Sequence, residues 1–262
     1  MVEDKGMRLK DKVAIITGGA EGIGYSYAVG FAKEGARIVI ADINSEAADI
    51  TVDNLKKTSA EALATKTDVA NLEDVQEMVQ TTIERFGRID ILVNNASVLS
   101  RAKISRGVPF FKLDLNEWDR VMAVNVKGTL LCSRAVFPYM KAQGGGKIIN
   151  TSSSQVFLGG GEVKYVHYVA SKAAVIGLTR ALARESGEYN INVNCISPGS
   201  TFSEDFNDQA ALEFRKKAIA ERCIQRVEYP EDLVGTAIFL ASSDSDFITG
   251  QTISVDGGAV ML

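Results

Sequence analysis

Six short runs rich in Val and Ile punctuate this chain: "VAIIT" 13–17, "RIVIA" 37–41, "DILVNN" 90–95, "KIINTS" 147–152, "INVNCI" 191–196 and "QTISV" 251–255. Longer segments of helical period separate them. This alternation constrains the fold more than any other feature, because strand–helix–strand units build parallel sheets. The runs are apolar throughout rather than at every second position, as strands covered on both faces must be. We therefore predict an α/β fold, a doubly wound parallel sheet with helices on both faces, formed as a single domain over residues 1–262.

The intervening segments agree with that layout. "YSYAVGFAKEGA" 25–36 puts Ala28, Phe31, Ala32 and Gly35 on one face, and "NLEDVQEMVQTTIERFG" 71–87 does the same with Leu72, Val75, Val79, Ile83 and Phe86. Gly35 and Gly87 fall where helices commonly end, just before the next strand. No internal repeat, low-complexity tract or Pro-rich linker marks a domain boundary. Two segments break the alternation, 97–114 and 200–226, each following a predicted strand. Ligands of open α/β sheets bind beyond the carboxyl ends of strands, so these two are the expected walls of a substrate site.

Composition narrows the function. The net charge is −4 and no Lys/Arg run occurs, so neither nucleic acid nor an anionic membrane is expected as a partner; a small molecule is. Cys132, Cys195 and Cys223 are odd in number and form no CxxC pair, which argues against a disulfide framework or a zinc site and for a reducing compartment. The charged start "MVEDKGMRLKDK" and the lack of a long apolar stretch lead us to expect a cytoplasmic protein. His167 is the only histidine. One histidine leaves little room for a Ser-His-Asp hydrolase or a catalytic zinc, so no metal is expected, and His167 itself reads as a loop or helix-start residue, with substrate contact the alternative.

"TGGAEGIG" 17–24 follows the first strand and opens a helix, with glycines at 18, 22 and 24. A turn without Cβ atoms lets backbone approach a pyrophosphate, whose charge then meets the amides and positive dipole end of the helix. Asp42 ends the second strand, close to the offset of about 20 residues at which an acid binds the adenosine ribose. A carboxylate there repels a 2′-phosphate. Glu21 adds negative charge, and neither Ile43 nor Asn44 offers a cation, so NAD is expected rather than NADP. Asp42 could also cap the helix near "SEAADI", a role that can coexist with ribose binding.

"YVHYVASKAAV" 165–175 carries the reactive groups. Tyr168 and Lys172 are four apart and share a helix face, whereas Tyr165 lies seven residues from the lysine, about 10 Å along the axis. A phenol near pKa 10 is a poor base at neutral pH. Lowering it by three units takes about 4 kcal/mol of differential interaction, which a sheltered ammonium could supply. The resulting tyrosinate can take the hydroxyl proton of an alcohol as hydride leaves its carbon, or return it to a ketone.

Taken together, "TGGAEGIG", "NNAS" 94–97, "NVKG" 125–128, "TSSS" 151–154, "YVASK" 168–172, "SPGS" 197–200 and "FITGQTISVDGG" 247–258 resemble, in order and spacing, the classical short-chain dehydrogenase/reductase family. The resemblance spans essentially the whole chain and implies a Rossmann fold. It also implies that Asn125 holds a water linking the lysine to solvent, Ser153 hydrogen-bonds the substrate oxygen, Tyr168 is the acid/base, and Lys172 binds the nicotinamide ribose and lowers the tyrosine pKa. For the cofactor it implies Gly18, Gly22, Ile23 and Gly24 at the pyrophosphate, Asp42 with adjacent Ile43 at the ribose, and Asp68 and Val69 at the adenine. It further implies that Asn94 and Ala96 form the backbone floor, that Pro198 and Gly199 flank the nicotinamide, and that Thr201 and Ser203 lie near its carboxamide. The family's usual assembly is a homotetramer built on the helices carrying Asn125 and Tyr168 and on the C-terminal strand.

This sequence departs from the family pattern in three places. Ser97 stands where glycine is usual. About two extra residues lie between Ser153 and Tyr168, so Ser152 or Ser154 are alternatives for the serine role. The 98–113 loop is longer and carries Arg101, Lys103 and Arg106, which could meet an anionic substrate or simply face solvent.

The expected function is an NAD-dependent oxidoreductase interconverting a secondary alcohol and its ketone. Several stretches are similar to dehydrogenases of aromatic secondary alcohols such as 1-phenylethanol, and also to sugar, steroid and cyclic-alcohol enzymes. Phe110, Phe111, Val156, Phe157 and Phe202 are candidates for an apolar pocket. The alternatives are an NAD-binding regulatory protein without turnover and an NAD-dependent epimerase or dehydratase.

Overall fold

The computed structural model describes residues 7–58, 60–98, 107–160, 165–202 and 209–261. Seven strands form one sheet in the order β3-β2-β1-β4-β5-β6-β7. They are β1 (Val13–Thr17), β2 (Arg37–Asp42), β3 (Ala62–Lys66), β4 (Ile91–Asn94), β5 (Gly146–Thr151), β6 (Ile191–Pro198) and β7 (Thr252–Val255). Every neighbouring pair is parallel. All seven carboxyl ends therefore lie along one edge.

Six strands match the Val/Ile runs to within a residue or two, and β3 is additional. Its sequence "ALATK" has little β-branched content, pairs only with β2 and is half-buried. Ala62 and Ala64 pack toward one core and Leu63 toward the other, but an edge strand that stays partly exposed does not need the continuous apolar run that marks the central strands.

The helices are α1 (Gly22–Lys33), α2 (Ser45–Lys56), α3 (Leu72–Phe86), α4 (Leu115–Met122), α5 (Thr129–Ala142), α6 (Gln155–Leu158), α7 (Val166–Ser186), α8 (Gln209–Glu221) and α9 (Glu231–Ala241). Successive strand residues divide between two cores. Ala14, Ile16, Ile38 and Ile40 pack with Phe31 of α1, Val52 of α2 and Leu233 of α9. Val13, Ile15, Val39 and Ala41 pack with Met78 of α3, Val136 and Met140 of α5, and Ala183 of α7. This two-residue alternation between filled faces is why the central strands read as continuously apolar. Each Val, Leu, Ile, Met or Phe among them contributes roughly 1.5–3 kcal/mol on burial.

Local signals explain the helix ends. Asn71 caps α3 by accepting from the Glu73 amide at 2.8 Å, and Gly87 ends it at φ 74°. The buried stripe of α3 is Val75, Met78, Val79 and Thr82, while Leu72 faces solvent, so the predicted face is rotated by part of a turn. Gly35, two residues past the end of α1, has φ 85°. The helix at 45 is capped by Asn44, which accepts from Ala47 at 3.2 Å, and not by Asp42. Between α4 and α5 the chain continues as a π-helical turn, Ala123–Gly128.

Candidate active site

The sheet order reverses between β1 and β4, from which the chain departs in opposite directions, and the glycine turn sits at that point. Thr17 organises it: its hydroxyl oxygen accepts from the Asn95 and Ala96 amides, each at 3.1 Å. The Asn95 side chain donates to the Gly18 carbonyl at 3.0 Å and the Thr17 carbonyl at 3.2 Å. Gly18 adopts φ 60°, and a Cβ there would lie 2.8 Å from the Ala96 Cα. A Cβ at Gly24 would fall on the Gly18 carbonyl oxygen. Gly22, at φ 56°, meets open space instead. Ile23 is half-buried against the core.

Asp42 lies beside this turn at the end of β2. Its carboxylate accepts from the Ala20 amide at 3.1 Å and from the Asn44 amide at 3.0 Å. Ile43 follows it, 65% exposed. Asp68 accepts from the Ala70 amide at 2.9 Å. Val69 is buried and crowds Gly128, where a Cβ would come within 2.7 Å of its Cγ2. Asn94 donates to Asn150 at 2.9 Å and to Ser133 at 3.1 Å, while its own Oδ1 is buried without a hydrogen-bond partner among the described residues.

Asn125 sits inside the π-helical turn, a deviation that frequently marks functional positions. Its Oδ1 accepts from the Val98 amide at 2.8 Å and the Ser97 hydroxyl at 3.2 Å, and its Nδ2 donates to Ser171 at 3.0 Å. Ser97, the departure from glycine, thus supplies one of three bonds that orient Asn125. Ser171 in turn donates to the Tyr168 carbonyl at 2.7 Å, joining the π turn to α7.

The buried face of α7 carries Tyr168, Ser171, Lys172, Val175 and Thr179, all but Val175 with a polar group. Tyr168 and Lys172 are 5% and 3% exposed, and the Lys172 Nζ lies 5.7 Å from the centroid of the Tyr168 ring. The two side chains share one environment. Burial lowers the lysine pKa from 10.5 to about 8, and the ammonium donates to the Thr151 carbonyl at 2.8 Å. Cys195 lies nearby, but burial pushes its thiol up to about 12, so it is neutral and gives the ammonium no counter-ion. Tyr165 packs edge-on against Tyr168 at 5.3 Å.

Of the three candidate serines, Ser152 donates its hydroxyl to the Lys172 carbonyl at 2.9 Å. Ser154 is 1% exposed, and its amide donates to Pro198 at 2.9 Å. Ser153 accepts from the Gln155 amide at 3.3 Å, which leaves its own hydroxyl proton available.

At the next strand end, Gly199 donates to the Glu228 carboxylate at 3.1 Å and to the Val255 carbonyl at 3.2 Å, and Thr201 donates to Glu228 at 2.8 Å. Ser203, Arg101, Lys103 and Arg106 lie outside the described residues. His167 is the second residue of α7, fully buried, with Nε2 3.3 Å from Glu117 of α4. Among the described residues no group of three or more His, Cys, Asp or Glu could hold a metal ion, and no helix is long and apolar enough to cross a membrane.

The supporting residues Thr17, Asn95, Thr151 and Ser171 have no chemistry of their own to announce them in the sequence. Their one signal is position: each lies inside one of the motifs "TGGAEGIG", "NNAS", "TSSS" and "YVASK".

A family model described as enoyl-(acyl carrier protein) reductase matches residues 18–260. The chain belongs to the classical short-chain dehydrogenase/reductase family. This short-chain dehydrogenase/reductase is 39% identical, over 96% of its own length and 98% of the other, to the (2S)-[(R)-hydroxy(phenyl)methyl]succinyl-CoA dehydrogenase subunit BbsD of Thauera aromatica. It is 37% identical to the 3-oxoacyl-[acyl-carrier-protein] reductase FabG of Thermotoga maritima, over 97% of this chain and 100% of that one. Among solved structures, levodione reductase superposes with a TM-score of 0.88 at 31% identity, covering 95% of this chain and 98% of that one. The chain is therefore an oxidoreductase of a family that typically uses a nicotinamide cofactor.

Proposed function

We propose that this short-chain dehydrogenase/reductase interconverts a secondary alcohol and its ketone with NAD, using Tyr168 as acid/base. The observation that carries the reading is the Lys172 ammonium held 5.7 Å from the Tyr168 ring in a shared, buried environment without a carboxylate partner among the described residues.

The residues fit a nicotinamide dinucleotide. No side chain caps α1, and its first turn carries no acid. Its amide end, beside the open space at Gly22, suits a pyrophosphate. Asp42 has two of its lone pairs engaged by backbone amides, and a carboxylate offers about four, so capacity for ribose hydroxyls remains. Gly18, Gly22, Ile23 and Gly24 would hold the pyrophosphate and Asp42 and Ile43 the adenosine ribose. Asp68 and Val69 would border the adenine, with Asn94, Ala96, Pro198, Gly199, Thr201 and Ser203 along the remainder. When bound, the cofactor supplies the hydride acceptor or donor.

The chain's own residues supply the proton chemistry. Lys172 favours the phenolate of Tyr168 electrostatically, and Tyr168 takes the proton from a carbinol hydroxyl. Ser153 donates its hydroxyl to the substrate oxygen. Asn125 holds the π turn and α7 in register, which keeps Tyr168 in place.

For the substrate we favour aromatic or cyclic secondary alcohols. The name of the Thauera relative's substrate puts a hydroxyl and a phenyl on one carbon, which supports an aromatic group. Phe110 and Phe111 stand exposed, edge to face at 5.5 Å, after β4; half-buried Val156 and exposed Phe157 follow β5; Phe202 packs on Tyr229 after β6. Homotetramer formation is supported by the exposed apolar Leu130 of α5 and Val166 of α7, and sedimentation would measure it.

An NADH-absorbance screen of 1-phenylethanol, cyclic alcohols and their ketones, run with NAD and NADP, tests the reading. Turnover with NAD that Tyr168→Phe abolishes is expected. Tight NADH binding with no turnover across the panel would overturn it.

A further inference from the structure

The segment after β6 leaves the sheet at Gly199 and returns at Glu228, and one buried carboxylate joins its two ends. Glu228 is 3% exposed. On the outgoing side its Oε1 accepts from the Gly199 amide at 3.1 Å and from the Thr201 hydroxyl at 2.8 Å. On the returning side its Oε2 faces the Arg222 guanidinium at 3.4 Å, itself 4% exposed. Arg222 follows α8 directly, donating through Nε to the Ala218 carbonyl of that helix at 3.2 Å and through a terminal nitrogen to the Ser200 carbonyl at 3.4 Å. The backbone repeats the link, since Thr201 and Glu228 form an isolated parallel bridge and the Phe202 amide donates to the Glu228 carbonyl at 2.6 Å. Gly199 accommodates this: a Cβ there would strike the Glu228 carboxylate and lie 2.8 Å from the Asp256 Cβ.

A surface loop has no use for a buried ion pair, which is costly unless geometry and hydrogen bonds compensate it. Here the compensation comes from both strands of the segment's base. We propose that Glu228 is a positioning residue that holds Gly199–Thr201 in its cofactor-facing conformation and, through Arg222, ties that conformation to the placement of α8. This rests on the assignment of Gly199 and Thr201 to the nicotinamide side of the site. Dinucleotide binding and the position of the 209–222 wall are then coupled.

Two measurements test it. In the wild type, hydrogen exchange with and without NADH should slow peptides 199–202 and 218–228 together, by at least ten-fold at Gly199 and Phe202. Protection of 199–202 with no change at 218–228 overturns the coupling. The second compares double variants that leave no unpaired charge. Glu228→Leu/Arg222→Met removes the acceptor for Gly199 and Thr201, and should weaken NADH binding in a fluorescence titration about ten-fold or more. Glu228→Gln/Arg222→Met keeps an acceptor oxygen and should bind NADH within about three-fold of wild type. Equal affinity of the two double variants overturns the positioning role. A Tyr168→Phe control separates the claims: if it retains wild-type turnover, the proposed acid/base function fails, whatever Glu228 does.

Discussion

The Lys172 ammonium donates to the Thr151 carbonyl oxygen at 2.8 Å, which anchors α7 to the end of β5 at the level of Tyr168. The bond fixes where the positive charge sits and offsets little of its desolvation, so the lysine pKa falls to about 8. Below pH 8 folded and unfolded chains both carry the proton, and the burial cost is present in full. Between about 8 and 10.5 the unfolded chain holds a proton that the folded chain has lost, so stability rises with pH. Lys172→Met should be more stable than wild type by roughly 1–3 kcal/mol at pH 7, a gap that closes toward pH 10. Urea unfolding at pH 7, 8, 9 and 10 measures it, and a pH-independent gap would contradict the assignment.

Tyr168→Phe keeps the ring that packs against Tyr165 at 5.3 Å and removes only the hydroxyl. Turnover should fall by about 10²–10⁴. NADH affinity should stay within about three-fold, by fluorescence titration. Loss of both together would mean that the residue is structural.

Gly24→Ala places a methyl on the Gly18 carbonyl oxygen, in backbone that cannot yield without moving the turn. It should cost about 1–3 kcal/mol in urea unfolding. NADH binding should weaken at least ten-fold. Gly22→Ala meets no neighbour but must hold φ 56°, so its stability cost should be near 1 kcal/mol.

Asp42→Ala removes the proposed charge against a 2′-phosphate and the acceptor for the Ala20 amide. Affinity for NADH should drop, and the NADH/NADPH preference should narrow about ten-fold. Asp42→Asn retains an acceptor for the amide without the charge. If the variant leaves the coenzyme ratio of wild type unchanged, charge is not what sets it.

The central strands, the glycine turn and the Tyr168–Lys172 pair were legible because each depends on a local rule: two filled faces, absent Cβ atoms, and helical spacing. β3 was hidden because an edge strand with two alanines has no strong local preference. Asn44 was overlooked as the cap of α2 because both it and Asp42 carry side chains able to cap, and only the backbone decides between them. The bonds from Ser97 and Ser171 to Asn125, and from Glu228 to Gly199 and Thr201, join residues 27 to 46 positions apart; no window of sequence contains both partners.

The π turn at Ala123–Gly128 carries a further consequence. A wide turn of this kind takes up one residue more than a regular helix would hold, so excising one would let the coil close into ordinary α-helix while Val121 before it and Leu131 and Cys132 beyond it keep their buried faces. What would be lost is the widened turn itself, and with it the setting of Asn125. A one-residue deletion here should therefore spare the packing of both helices and cost activity instead.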